Sequence, residues 1–357
     1  MRQQTVLAIL LGAVFLVFVV QRLPQSPRSP PSKPLINAPT PSRTPTIAES
    51  DRISLSAFKR LAHLYHAFDA HETNETRAQP LSASSVPVHP PGNPSIIFSS
   101  AWELPAFLDD VLPRIRFPFV LVTADSSMTM PKDAISLDRA REFVADKRLL
   151  AWYTTNCDAL LDKMHCLPLG INSYIDSPRY LQQLYEDGVG LVEGMRQAPE
   201  KVGGKNTLLV SFNTQTNHVL RIPLMEMFCG EEGADMSMGL RHLRNNYVSC
   251  FLNQSMPQDQ FYREKLAAAR FVLAPHGNGL DTYRVWETLL LGSYPIVKAS
   301  SLDAMYEGLP VLILEDYSLL NADMLEMSYL RFQSTRQKYE KLYIQYWEAA
   351  FNSHIIP

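Results

Sequence analysis

The feature that most constrains this chain is a series of short, continuous apolar segments separated by helical patterns between residues 95 and 314. The segments are 95–99 (SIIFS), 117–122 (FPFVLV), 149–153, 165–171 (HCLPLGI), 207–212 (TLLVSF), 247–251, 271–274, 294–297 and 311–314. Continuous rather than alternating apolar runs mark strands covered on both faces. Helical spacing lies between them at 104–115, 137–147, 180–186, 190–197, 221–228, 259–269 and 284–291. Strand–helix alternation calls for parallel sheets joined by right-handed crossovers. The roughly 260 residues from position 95 onward are many for one doubly wound sheet. The expected fold is therefore α/β, with two Rossmann-like lobes at 95–200 and 205–330 and a hinge near Gly203-Gly204. A C-terminal segment, 331–357, is expected to be helical, with Tyr339, Leu342, Tyr343, Tyr346, Trp347 and Phe351 in a stripe that could cross back to the first lobe.

The chain ahead of the lobes is of another kind. Residues 5–20 (TVLAILLGAVFLVFVV) are unbroken apolar sequence, preceded by Arg2 and followed by Gln21-Arg22. A bilayer core of ~30 Å asks for about 20 such residues, with about 17 as a working minimum, and thinner early secretory membranes accept less. No small-x-small cleavage pattern follows, so 1–22 reads as a transmembrane signal anchor rather than a cleaved signal. Residues 23–94 read as a proline-rich stem, because proline removes a donor and fixes φ. A short helix is expected within it over 53–71, from Leu55, Phe58, Leu61, Leu64, Tyr65 and Phe68. This layout predicts a single-pass protein of the Golgi membrane, or of the endoplasmic reticulum, with its folded part lumenal. Asn74-Glu75-Thr76 and Asn253-Gln254-Ser255 are glycosylation patterns. The four cysteines fall as two local pairs, Cys157 with Cys166 and Cys229 with Cys250. Proximity favours those two disulfides in an oxidising compartment, with free thiols the alternative. A net charge of -3 without a long basic run gives no footing for nucleic acid.

The densest chemistry lies in 271–300, FVLAPHGNGLDTYRVWETLLLGSYPIVKAS. Pro275, His276, Gly277, Asn278 and Gly279 follow a strand, and doubly wound sheets bind ligands at such carboxyl ends. Two glycines allow close backbone approach, and the helix N-terminus beyond them favours an anion. Asp281 or Thr282 is placed to cap that helix. Arg284 and Glu287, three apart, share its face. A guanidinium there suits a diphosphate, and a carboxylate suits a ribose diol. The alternative for the pair is an internal ion pair on a solvated face. A second loop, from Asn213 to His218 after the 207–212 strand, with Arg221 beyond, also suits phosphates.

A strand followed by P-x-G-x-G, then an Arg and an acid three apart, then G-x-x-P-I-V, resembles the donor-binding half of exostosin-family glycosyltransferases. The resemblance covers about 259–314. Leu208-Leu209-Val210-Ser211-Phe212 with Arg221 is similar to the opening of that family's donor lobe, with Asn213 where the family usually has glycine. The resemblance implies a two-lobed (GT-B-like) fold, a nucleotide-sugar donor in the second lobe contacted at its ribose by Glu287, and a glycan or glycoprotein acceptor in the first. Asp125, after the 117–122 strand, is the candidate general base, with a turn or capping role as its alternative. No D-x-D occurs in the chain, so the expected chemistry uses neither metal nor cofactor. A lumenal sulfotransferase would share the anchor and stem but wants a basic phosphate loop after the first strand, where Ser100-Ala101-Trp102-Glu103 stands. A non-catalytic glycan-binding or scaffold protein on the same fold is the third reading.

Overall fold

The computed structural model describes residues 52–66, 78–92, 94–172, 204, 207–231, 236–252 and 256–354. All belong to one compact unit, 46–357. The expected anchor, the proline-rich run 24–45, Asn74, Asn253, the helices expected at 180–186 and 190–197, and Gly203 lie outside the described residues. Among the described residues no helix is long and apolar enough to cross a membrane.

The protein is α/β with two parallel-sheet lobes. The first contains α1 (Leu55–Arg60), β1 (Leu64–His66), β2 (Gln79–Pro80), β3 (Ser95–Ser100), short helical turns over 101–114, β4 (Phe119–Ala124), α2 (Leu137–Val144), β5 (Leu149–Thr154) and β6 (Met164–Cys166). Its strands lie in the order β2-β1-β3-β4-β5-β6, every pair parallel. The second contains β7 (Leu208–Val210), α3 (His218–Cys229), α4 (Met238–Tyr247), β8 (Val248–Cys250), helical turns over 258–266, β9 (Phe271–Leu273), α5 (Tyr283–Leu290), β10 (Tyr294–Lys298) and β11 (Leu312–Leu314). Its order is β8-β7-β9-β10-β11, again parallel throughout. Five strands of the first lobe and all five of the second thus share one topology, in which the chain reverses its winding after the second strand. Each lobe therefore has a crevice at a switch point, β1/β3 in the first and β7/β9 in the second.

The strands form as their sequences dictate: β4 and β9 are buried at every position, consistent with covering on both faces. Helices start at side-chain caps, with Ser54, Ser136 and Thr282 accepting from backbone amides of the first turn. Gly292 ends α5 at φ 67, a left-handed position that glycine takes without a Cβ clash.

Four expectations need correction. Described parts of the expected stem belong to the first lobe: β1 lies between β2 and β3, and α1 packs beside them. The helix expected over 53–71 ends at Arg60. His63 then exchanges two hydrogen bonds with Ile96, its amide donating to the Ile96 carbonyl and its Nδ1 accepting from the Ile96 amide. Those bonds set Leu64–His66 in register with Ile97–Ser99, where Leu61, Leu64 and Tyr65 had fitted helical spacing. The strand expected over 165–171 is only Met164–Cys166. The C-terminal stripe is also split. Tyr339–Leu342 is a short 3-10 turn, Tyr343 is extended and bridges to Arg52, and α7 spans Ile344–Asn352. A longer helix, α6 (Ala322–Ser334), precedes it.

The ends of the unit bind the lobes together. α7 lies on the first lobe, where Phe351 meets Phe58 and Tyr153, and Trp347 meets Phe58 edge-on at 6.2 Å. The Tyr153 hydroxyl lies 2.9 Å from His354 Nε2. Disulfides join Cys157 to Cys166 beside β5–β6 and Cys229 to Cys250 beside β7–β8, the pairings that proximity favours.

Candidate functional site

The second lobe's switch point gathers most of the residues singled out in the sequence. The loop after β7 closes on itself: Asn213 Oδ1 accepts from the Gln215 amide, and Thr216 Oγ1 donates to the Asn213 carbonyl. Asn213 thus makes an Asx turn. Arg221, on the first turn of α3, reaches across the crevice. Its Nε donates to the His276 carbonyl at 2.8 Å and its Nη2 to the Pro275 carbonyl at 2.8 Å. Its Nη1 donates to the Asn213 carbonyl and Thr216 Oγ1. The guanidinium clamps the loops after β7 and β9. Burial pulls it down to about 10, which leaves it cationic at neutral pH. Its hydrogen-bonding capacity is spent largely within the protein, unlike the phosphate contact expected of it.

Beyond the second loop, Thr282 caps α5 by accepting from the Arg284 amide. Arg284 and Glu287 then meet, Nη1 to Oε2 at 3.3 Å. The internal ion pair of the alternative reading is therefore present, with Glu287 buried rather than on a solvated face. Arg284 also lies over the Phe261 ring, 4.9 Å from its centroid, and its Nη1 is buried without a hydrogen bond. The other Glu287 oxygen, Oε1, accepts from the Tyr262 hydroxyl at 2.9 Å, and that hydroxyl accepts from Gln258 Nε2 at 2.9 Å.

These groups line a cavity of about 220 Å³ that includes Asn213, Arg221, Thr282, Tyr283, Arg284 and Glu287. A cavity of about 480 Å³ adjoins it through Phe212, Asn213, Gln258 and Arg284, and adds the apolar walls of Met225, Phe251, Met256 and Phe261. A third, of about 380 Å³, adjoins it through Arg221, Thr282 and Tyr283 and opens between the lobes. Its walls are Gly277, Asn278 and Gly279 from the second lobe and Asp125, Ser126 and Asn156 from the first. Shared lining residues join the three into one track, from a pocket with mixed polar and apolar walls, past half-buried Arg284 and buried Glu287, to an inter-lobe cleft.

Asp125 stands in that cleft at φ 67 directly after β4. Its Oδ2 is 3.0 Å from the Nζ of Lys59, a buried lysine of α1. The cleft is held by another carboxylate. Asp281 is buried and takes four donors: the Leu169 amide at 2.7 Å, the Thr282 amide, Trp286 Nε1 at 2.8 Å and the Tyr306 hydroxyl. Its own amide donates to Asn156 Oδ1, and Asn156 Nδ2 donates to the Ser126 carbonyl. Leu169, Asn156 and Ser126 are first-lobe residues, so Asp281 clasps one lobe to the other. Burial pushes its carboxyl up to about 6, against four donors that favour the ionised form. Gly279 is part of the clasp: a Cβ there would stand 2.7–2.9 Å from the Asn156 side chain. The glycine permits the close approach of the lobes at the wall of the cleft.

The field in the track is mixed. His276 is not among the residues that line the three cavities; burial holds it below its ordinary value, then Lys298 and Arg221, so its ring is neutral at pH 7. Tyr283 is pushed up to about 12 by burial first, with Asp125, Glu287 and Asp281 adding to it. A helix N-terminus and Arg284 favour an anion in the middle cavity, and Glu287 offers acceptors to a diol there. Asn213, Arg221, Arg284 and Glu287 share the middle cavity; Asp125, Gly277, Asn278 and Gly279 line the cleft. Sequence reasoning missed Lys59, Asn156 and Tyr262, and gave Asp281 only a capping role. Asn156, a left-handed asparagine (φ 53) two residues after the end of β5, carried the one local signal.

No protein-family model matches the chain, and the search of curated proteins finds no match.

Proposed function

We propose that this protein is a glycosyltransferase that takes a nucleotide-sugar donor in its second lobe and a glycan or glycoprotein acceptor at the inter-lobe cleft. The observation that carries the reading is the pairing of half-buried Arg284 with buried Glu287 at the second switch point, in the middle of the three-cavity track. The donor's nucleoside would occupy the pocket walled by Phe251 and Phe261, its ribose hydroxyls would donate to Glu287, and its diphosphate would lie by Arg284 and the α5 N-terminus. In the transfer step the acceptor oxygen bonds to the anomeric carbon, the bond from that carbon to the diphosphate oxygen breaks, and the acceptor proton leaves to a base. Asp125 is the proposed base, held by Lys59 and facing the cleft. Positive groups at the diphosphate stabilise the charge that develops on the leaving oxygen. The resemblance to exostosin-like enzymes and the absence of D-x-D support a step without metal. The apolar run 5–20 and the proline-rich stem support a single-pass Golgi or reticulum membrane enzyme with these lobes lumenal.

The test is thermal stability of the purified full-length chain against nucleotide sugars, nucleoside diphosphates and the sulfate donor phosphoadenosine phosphosulfate. A donor at 100 times its Kd adds about 2.7 kcal/mol of stability. Stabilisation by a nucleoside diphosphate that Glu287→Ala abolishes is the expected outcome. A response to the sulfate donor alone, or to no ligand, overturns the reading.

A further inference from the structure

Glu287 does not stand by its own rotamer. The Tyr262 hydroxyl donates to its Oε1 at 2.9 Å while accepting from Gln258 Nε2 at 2.9 Å, and Arg284 holds Oε2 at 3.3 Å. Tyr262 is fully buried, and Glu287 nearly so. Gln258 lies where the middle cavity meets the larger pocket, so the relay begins at the wall the ligand would touch and ends on the carboxylate. Local geometry places the tyrosine. The helical segment over 258–266 changes from α to π at Tyr262, with the Ala267 amide bonding to the Tyr262 carbonyl at 2.8 Å. A π turn rotates the residues that follow relative to an α continuation, and such turns recur where a side chain must be aimed.

We infer that Tyr262 is a positioning residue that fixes the Glu287 carboxylate for a ribose 2′,3′-diol, so that the site selects ribonucleotides over 2′-deoxyribonucleotides. The inference rests on the donor-site reading above. A carboxylate hydrogen-bonded on one oxygen by a phenol and ion-paired on the other with a guanidinium is restrained in orientation, and so are its remaining lone pairs. A vicinal diol fits two such acceptors, whereas a lone 3′-hydroxyl leaves one buried acceptor unmatched. Loss of one hydrogen bond to a charged acceptor corresponds to roughly a tenfold change in affinity or more. Tyr262→Phe keeps the ring and its packing and removes only the hydroxyl.

The experiment measures dissociation constants of uridine and guanosine diphosphates and their 2′-deoxy counterparts for the full-length wild type, Tyr262→Phe and Gln258→Leu. The expected result is a preference for the ribose form in the wild type that falls about tenfold in Tyr262→Phe and partly in Gln258→Leu, with KM for the nucleotide sugar rising and kcat unchanged. Equal loss of affinity for both sugar forms would make Tyr262 a packing residue and overturn the inference. Undiminished preference in Tyr262→Phe overturns it as well and leaves the donor site standing. A wild type that binds none of the four nucleotides overturns both together.

Discussion

Arg221 binds the protein's own loops where a phosphate contact was expected. Its position after a strand-end loop pointed to phosphate, and it does stand at the switch point. Its guanidinium, however, binds three backbone carbonyls and a threonine hydroxyl. Arg221→Met removes all four bonds and leaves the buried Pro275 carbonyl and the half-buried His276 carbonyl without that donor. Each orphaned buried acceptor costs about 1–3 kcal/mol, so denaturant unfolding of the variant should show a loss of about 3 kcal/mol or more. A phosphate ligand of no structural importance would instead leave the denaturation midpoint where it was. Strand, loop and helix follow one another in sequence here, so the Arg284–Glu287 pair was legible. Tyr262 with Glu287, and Asn156 with Asp281, are contacts between segments 25 and 125 residues apart. No local pattern announces those.

At the scale of elements, buried parallel strands were the easiest to read, because double burial leaves long apolar runs such as Phe119–Ala124. β1 and β2 escaped for the opposite reason. They are three and two residues long, and β1 carries a histidine and a tyrosine. Proline-rich surroundings made that stretch look like spacer. α7 was anticipated as a returning helix, though shorter than expected, and its packing makes a sharp prediction. Phe351 is fully buried against Phe58 and Tyr153. Phe351→Ala should destabilise the unit by about 3–5 kcal/mol, the range for emptying a buried aromatic site. Hydrogen exchange should show the loss in α1 and β5, which belong to the first lobe, and not only in the mutated helix. Faster exchange confined to α7 would refute the packing argument.

For the whole molecule, the two sheets share a topology, and their crevices are brought into register by a clasp of few groups. Its centre, Asp281, is acidic, and its carboxyl is raised in the folded protein from near 3.8 to about 6. Between those values the folded state holds a proton that the unfolded chain has released, so the stability this group contributes falls as pH rises from about 4 to about 6 and is level above. Unfolding free energies measured across that interval should carry the slope, and Asp281→Asn should flatten it. Asp281→Asn should also lower stability at every pH, because its amide would meet donors where the carboxylate accepts four. A variant with an unchanged slope would assign the titration elsewhere.

The return of α7 also sets an order of events in biosynthesis. The first lobe's strands are translated before the second lobe, yet the aromatic surface around Phe58 and Tyr153 is covered by Trp347 and Phe351, which follow both lobes in sequence. The first lobe therefore cannot finish its core before α7 has been made and has docked. Until then it displays an aromatic patch to whatever surrounds the nascent chain. One lobe is completed only after the other has been synthesised.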